Sequence, residues 1–337
     1  MRMQSLLSMF FLSSSILSGS FSLGSFDCVT QSMNYKPLSS DEYQQGKLKH
    51  AWLNCSDYFS KDAQRALDKD ELQPLTFSGK FGAKLSGFLV KRQSKELIIV
   101  VPPFGASLDQ QMRFAAIFKE YDVIICACQW SDAAHTRKQS LKFLCAPLKT
   151  VFDDAVEVVI DACLWARSQG YQKVHALGSC YGGVLTAASQ QKMKKNNLKA
   201  FDTIILDSVP PLLSSVLKIA IEDPYGVLKK GKAQTFFWYK YIMNALGLST
   251  VGRYISEFFL SEYNLSHLLK ESDVPLLLFY GTDDLLVPEA QWQLFLKDNA
   301  TRFMKVVSTP TKHLYVSLKE KELYREITQR FLNNELL

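Results

Sequence analysis

The stretch VHALGSCYGG, residues 174–183, carries two nucleophilic side chains side by side, Ser179 and Cys180. It starts in a strand-like run, KVHALG, and ends in a helix-like one, GGVLTAASQQKM. A chain that turns from strand to helix this sharply holds its tip in a strained backbone conformation. The residues two before and two after the tip must then be small, or they collide. With Cys180 at the tip the flanks are Gly178 and Gly182; with Ser179 at the tip they are Leu177 and Tyr181, which are too bulky. The spacing therefore selects Cys180 as the nucleophile. The amides and dipole of the following helix stabilise thiolate there. The amide of Tyr181 faces the oxygen of a tetrahedral intermediate.

Working outward, the chain alternates strand-like and helical segments. A pair of strands is expected in LTFSGKFGAKLSGFLVKR (75–92), joined through residues 79–82. Continuous apolar runs at 96–105 and 121–128 read as strands buried on both faces. Between them, LDQQMRFAAIFKE has helical spacing. Residues 150–169 form the clearest helix, with Phe152, Val156, Val159, Cys163 and Ala166 on one face and Gly170 as the stop. Further strands are expected at 173–178, 201–208, 274–281 and 302–308. This order predicts an α/β protein with a doubly wound, mostly parallel sheet. The alternation breaks at 211–271, read as an inserted, mainly helical cap that contains KAQTFFWYKYIMNALG. The core is then 73–210 plus 272–337, preceded by an extension at 26–72.

With 337 residues, 47% of them hydrophobic, the chain can bury one large core. The net charge of +6 is mild, and its lysine clusters at 192–199 and 229–232 come with no nucleic-acid-binding motif, so they read as solvated surface. Seven cysteines lack the spacing of a disulfide framework. Cys126, Cys128 and Cys163 fall in apolar segments and read as plain buried thiols; Cys28 and Cys55 are a candidate pair if the protein is exported. The five histidines show no metal-ligand spacing, and no cofactor is called for. Residues 1–25, MRMQSLLSMFFLSSSILSGSFSLGS, have the form of a secretory signal peptide: one early arginine, a short apolar run, then small residues. They predict export to a periplasmic, secreted or membrane-associated location.

The turn at Cys180 resembles the nucleophile elbow of the α/β-hydrolase fold in its cysteine form, as in dienelactone hydrolases and polyhydroxyalkanoate synthases. Two further stretches resemble the synthases. VVPPFGASLDQ stands where that family has a Pro-Pro oxyanion loop, and YDVIICACQWSDA is similar to the next strand, with Trp130 matching and Gln129 in place of a serine. The resemblance implies that the amides of Phe104 or Gly105 complete the oxyanion hole with Tyr181, since Pro102 and Pro103 have none. FYGTDDLLVP resembles the family's acid-bearing segment, and that alignment selects Asp284 over Asp283. Asp207, ending TIILDS, is the alternative acid, and Asp284 could instead only cap the next helix. His313 is the one histidine after Asp284 and stands where the fold requires its base; Lys312 precedes it where the family usually has glycine. His175 reads as core, and His50, His135 and His267 as surface or local hydrogen-bonding groups.

The implied activity is acyl transfer from an ester or thioester through Cys180, His313 and Asp284. Phe236, Phe237, Trp238 and Tyr239 in the cap, with Trp130, are candidate substrate contacts for a hydrophobic acyl group, and the cap or the N-terminus could meet a membrane surface. The aromatics serve equally as the cap's own core. The alternatives are a polyhydroxyalkanoate-synthase-like acyltransferase and a non-catalytic binding protein on the same scaffold.

Overall fold

The computed structural model describes residues 72–75, 87–103, 108–126, 148–213, 261–270, 272–284, 286–299 and 303–336. The strands are β1 (Leu72–Leu75), β2 (Gly87–Val90), β3 (Glu96–Val101), β4 (Asp122–Cys126), β5 (Lys173–Ser179), β6 (Thr203–Asp207), β7 (Leu276–Gly281) and β8 (Met304–Thr309). The helices are α1 (Leu108–Ile117), α2 (Leu148–Ser168), α3 (Tyr181–Lys195), α4 (Leu265–Leu269), α5 (Glu289–Asn299), α6 (Val316–Lys319) and α7 (Lys321–Leu332). The expected signal peptide, most of the 26–72 extension, Cys28, Cys55, Cys128, His50 and His135 lie outside the described residues, as do residues 214–260 of the expected cap.

The strands form one sheet in the order β1-β2-β4-β3-β5-β6-β7-β8. β2 runs antiparallel to both β1 and β4; every other neighbouring pair is parallel. The sequence of β3 shows why the sheet is covered twice. Leu97, Ile99 and Val101 point into one apolar cluster and Ile98 and Val100 into the other, all fully buried. Side chains alternate across a strand, so an unbroken apolar run needs a cover on both faces. α2, α3, α4 and α5 supply the first cover, through residues such as Val159, Val184, Leu265 and Trp292. α1 and α7 supply the second, through Phe114, Tyr324 and Phe331. Each such side chain contributes about 1.5–3 kcal/mol by leaving water.

Several local expectations have a physical counterpart. Phe152, Val156, Val159, Cys163 and Ala166 all face the core from α2. α2 ends just before Gly170, which has φ +86, and the Tyr171 amide reaches back to the Ala166 carbonyl at 3.3 Å. Only glycine adopts this left-handed conformation at little cost. His175 is fully buried in β5, with Nδ1 2.7 Å from Thr203 Oγ1 and Nε2 3.3 Å from Glu96 Oε2.

β1 covers Leu72–Leu75 and so reaches back before the expected start at residue 75; the rest of the expected first strand lies outside the described residues. β1 contains Pro74, which lacks a ladder donor and is tolerated because β1 is the outermost strand. Residues 261–270, grouped by sequence with the insertion, pack on the core. Tyr263 donates to Asp153 Oδ1 at 2.9 Å, the Leu265 amide donates to the Pro211 carbonyl at 3.0 Å, and Leu265 is fully buried. The apolar LSHLL segment is too short to bury itself and takes its cover from α3.

Candidate active site

β5 ends at Ser179 and α3 starts at Tyr181, so the whole turn is one residue, Cys180, with φ 50° and ψ −120°. A residue other than glycine in this region costs about 1–3 kcal/mol and persists only where its surroundings hold it. They do so here. The Cys180 amide donates to the Asp207 carbonyl at 2.9 Å, and the Cys180 carbonyl accepts from the Gly183 amide at 3.0 Å. Ser179 faces the other way: it is fully buried, and its hydroxyl has no hydrogen-bond partner among the described residues. The two neighbouring nucleophiles are thus separated by the strand's alternation.

The glycines matter because backbone comes close on both sides. A Cβ on Gly178 would stand 2.4 Å from the Gly183 Cα and 2.6 Å from Thr186 Oγ1. On Gly182 it would stand 2.1 Å from the Val101 carbonyl oxygen and 2.5 Å from that of Pro102. Gly182 therefore lets the turn sit directly against the end of β3. Phe104 and Gly105, the expected oxyanion donors, lie outside the described residues, as do Trp130, Phe236, Phe237, Trp238 and Tyr239. Tyr181 is buried and opens α3, so its amide belongs to the first turn, whose N–H groups have no intrahelical acceptor. Gly183, which the sequence reading did not single out, is equally constrained: a Cβ there would be 2.0 Å from Val209 Cγ2. The doubled glycine was its only signal in the sequence.

His313 and Asp284 meet on the same edge of the sheet. Nδ1 of His313 lies 2.6 Å from Oδ2 of Asp284. The other carboxylate oxygen, Oδ1, accepts from the amides of Leu286 and Val287, both at 2.9 Å. Asp284 therefore both caps the turn after β7 and holds the imidazole. The alternative acid, Asp207, is not on the imidazole; its Oδ1 accepts from Ser208 Oγ at 2.9 Å. Burial pushes the Asp207 carboxyl above its usual range, against the charge of buried Arg113. The acid and base loops are also stitched by backbone: the Thr282 amide donates to the Thr309 carbonyl at 2.8 Å, and Asp283 to Thr311 at 3.2 Å.

The far side of the imidazole, Nε2, is buried without a hydrogen-bond partner among the described residues. Burial disfavours the charged ring, yet the Cys180 sulfur and the carboxylate of Asp284 outweigh it and raise the His313 pKa to about 10. The Cys180 sulfur is thus among the groups that act on the imidazole. Burial pushes the thiols of Cys126 and Cys163 up to about 12, so both stay protonated at neutral pH. Among the described residues no group of three or more His, Cys, Asp or Glu side chains is arranged to hold a metal ion. No helix among them is long and apolar enough to cross a membrane.

The same architecture occurs in solved structures. The Pyrococcus furiosus esterase Pf2001 superposes with a TM-score of 0.56 at 15% identity, covering 79% of this chain and 93% of its own. The chain has the α/β-hydrolase fold. The hyperthermophilic esterase from Pyrobaculum calidifontis matches with a TM-score of 0.50 at 15% identity, over 89% of this chain and 100% of its own. An esterase/lipase from an uncultured bacterium matches at 0.50 and 13% identity, over 85% and 97%. No family model and no curated protein matches the chain. Within the hydrolase fold, Cys180 follows the fifth strand, Asp284 the seventh and His313 the eighth. One strand-end face thereby presents a thiol, a carboxylate and an imidazole.

Proposed function

We propose that the protein is an acyl hydrolase that cleaves an ester or thioester through Cys180, His313 and Asp284. The observation that supports this reading is geometric: the strained one-residue turn at Cys180 and the His313–Asp284 pair, with Nδ1 2.6 Å from Oδ2, lie at the same strand-end face of the sheet. A thiolate paired with imidazolium is the ground state that nucleophilic thiol catalysis requires.

In this reading the thiolate attacks the carbonyl carbon, and the carbonyl oxygen becomes an oxyanion facing the Tyr181 amide and an amide of Phe104 or Gly105. Collapse breaks the bond to the alcohol or thiol, which takes the proton from His313 Nε2. Acylation has now removed the charge of the sulfur. The burial of the ring, no longer opposed by a thiolate, favours neutral imidazole. That is the form able to deprotonate a water. The water attacks the thioester, releases the acid and restores the thiolate, and the proton returns to His313. Asp284 holds the Nδ1–H tautomer throughout, so that Nε2 faces the reaction. A hydrophobic acyl group rests on the aromatic run at 236–241 alone, and export on residues 1–25.

Hydrolysis of p-nitrophenyl esters from two to sixteen carbons, by the protein and by its Cys180→Ala variant, tests this. Turnover that vanishes with Cys180 supports the reading, and the chain-length optimum gives the acyl preference. Equal rates in both proteins would sink it.

A further inference from the structure

The end of β6 touches the segment of every proposed catalytic residue. The Asp207 carbonyl accepts from the Cys180 amide at 2.9 Å. The Ser208 amide donates to the Phe279 carbonyl at 2.8 Å, on the strand that leads to Asp284. Ser208 Oγ accepts from the Leu314 amide at 3.1 Å, one residue after His313. Its single hydroxyl hydrogen goes to Asp207 Oδ1 at 2.9 Å. Donation to Asp207 leaves the oxygen lone pairs for Leu314, so the carboxyl sets the direction of the hydroxyl.

The backbone shows why this contact is needed. Leu314 has φ +62° and Ser208 φ +55°. A bulky residue such as leucine is a true outlier there. Two strained residues face each other across one hydrogen bond, and one of them fixes the direction in which the chain leaves His313. Ser208 is fully buried, so no water substitutes readily for its hydroxyl. The charged and titratable groups that act on its partner Asp207 are Arg113 and His313, and Tyr324 interacts with the same carboxyl; Arg113 lies on α1 and Tyr324 on α7.

We propose that Ser208, oriented by Asp207, is a positioning residue: its hydroxyl holds the strained Leu314 backbone and so sets where His313 stands relative to Cys180. This rests on the triad proposed above, and it gives the buried Asp207 a role other than that of the acid.

The test uses the full chain and no substrate. Iodoacetamide alkylation of Cys180 is followed by mass spectrometry of its peptide from pH 5 to 10. The protein is compared with Ser208→Ala, Ser208→Gly and His313→Ala, and Tm is measured for each. The glycine variant suits the positive φ, so it removes the hydroxyl without adding strain. The expected result is a loss of roughly tenfold in rate at pH 6 in both Ser208 variants, as the thiol pKa rises by about one unit, with rates at pH 9.5 little changed. A wild-type pH profile in both variants, whatever their Tm, overturns the proposal. So does a wild-type profile in the glycine variant alone, since strain and not the hydroxyl would then be responsible. If the unaltered protein already matches His313→Ala, the thiolate pair itself is absent, and the proposed function falls with this inference.

Discussion

Asp284 Oδ2 lies 2.6 Å from His313 Nδ1, although 29 residues separate the two in the chain. The segment between them contains α5 and β8, and the parallel pairing of β8 with β7 returns the chain to the same end of the sheet. Replacing Asp284 by asparagine keeps an acceptor for the Leu286 and Val287 amides but can place an N–H against Nδ1. Folding is expected to survive, while kcat falls about a thousandfold or more because the wrong tautomer is favoured. Steady-state kinetics with circular dichroism checks both halves; a loss below tenfold would remove Asp284 from the triad.

The Cys180 sulfur is one of the groups that raise the His313 pKa, to about 10, against the effect of burial. In Cys180→Ala that contribution is gone while burial and Asp284 remain, so the His313 pKa is expected to fall. A proton NMR titration of the ring in both proteins measures this. The same value in each would mean that the sulfur does not act on the base, and the change of His313 from acid to base between the two half-reactions would lose its cause.

The strained tip makes a stability prediction opposite in sign to the activity one. Cys180→Gly removes the nucleophile and relieves the φ of 50°. It should abolish hydrolysis yet raise Tm by roughly 1–3 °C, since a relief of order 1 kcal/mol shifts a protein of this size by that much. Thermal denaturation decides it, and a lower Tm would mean that the turn carries no strain.

Gly182→Ala places a methyl group 2.1 Å from the Val101 carbonyl oxygen. Two backbone segments would have to separate, at a cost of about 1–3 kcal/mol. The end of β3 leads toward Phe104 and Gly105, the proposed oxyanion donors, so kcat should fall along with Tm. Chemical denaturation and kinetics together test this; unchanged values for both would place β3 away from the turn.

At the opposite end of the sheet, Glu96 accepts from His175 and pairs with Lys173, and the hydrogen bond from His175 is the main reason its pKa drops to about 2, against the effect of partial burial. A carboxyl with a depressed folded pKa stabilises the protein above its unfolded value near 4.3 and loses that contribution as pH falls toward 2. The Tm difference between the protein and Glu96→Gln should therefore be largest above pH 5 and vanish by about pH 2. A difference independent of pH would assign the effect to packing.

The sequence by itself determined the sheet. Runs such as LIIVV in β3 and IIL in β6 are apolar at successive positions, and a strand of that kind is stable only when both its faces are covered. It also located the turn, because only glycine tolerates the close approach at 178 and 182. It placed the start of β1 too late, since a four-residue edge strand with a proline carries little periodic signal. It gave no sign that Leu265 and its neighbours belong to the core. Only the tertiary structure decided which carboxyl meets His313: Asp207 ends one apolar strand and Asp284 follows another, and local sequence cannot say which of them turns toward a loop that arrives later in the chain. It also decided the part played by Ser208. A serine after a buried strand is unremarkable as text; its importance comes from a backbone amide 106 residues away, held by a φ that leucine adopts only under constraint.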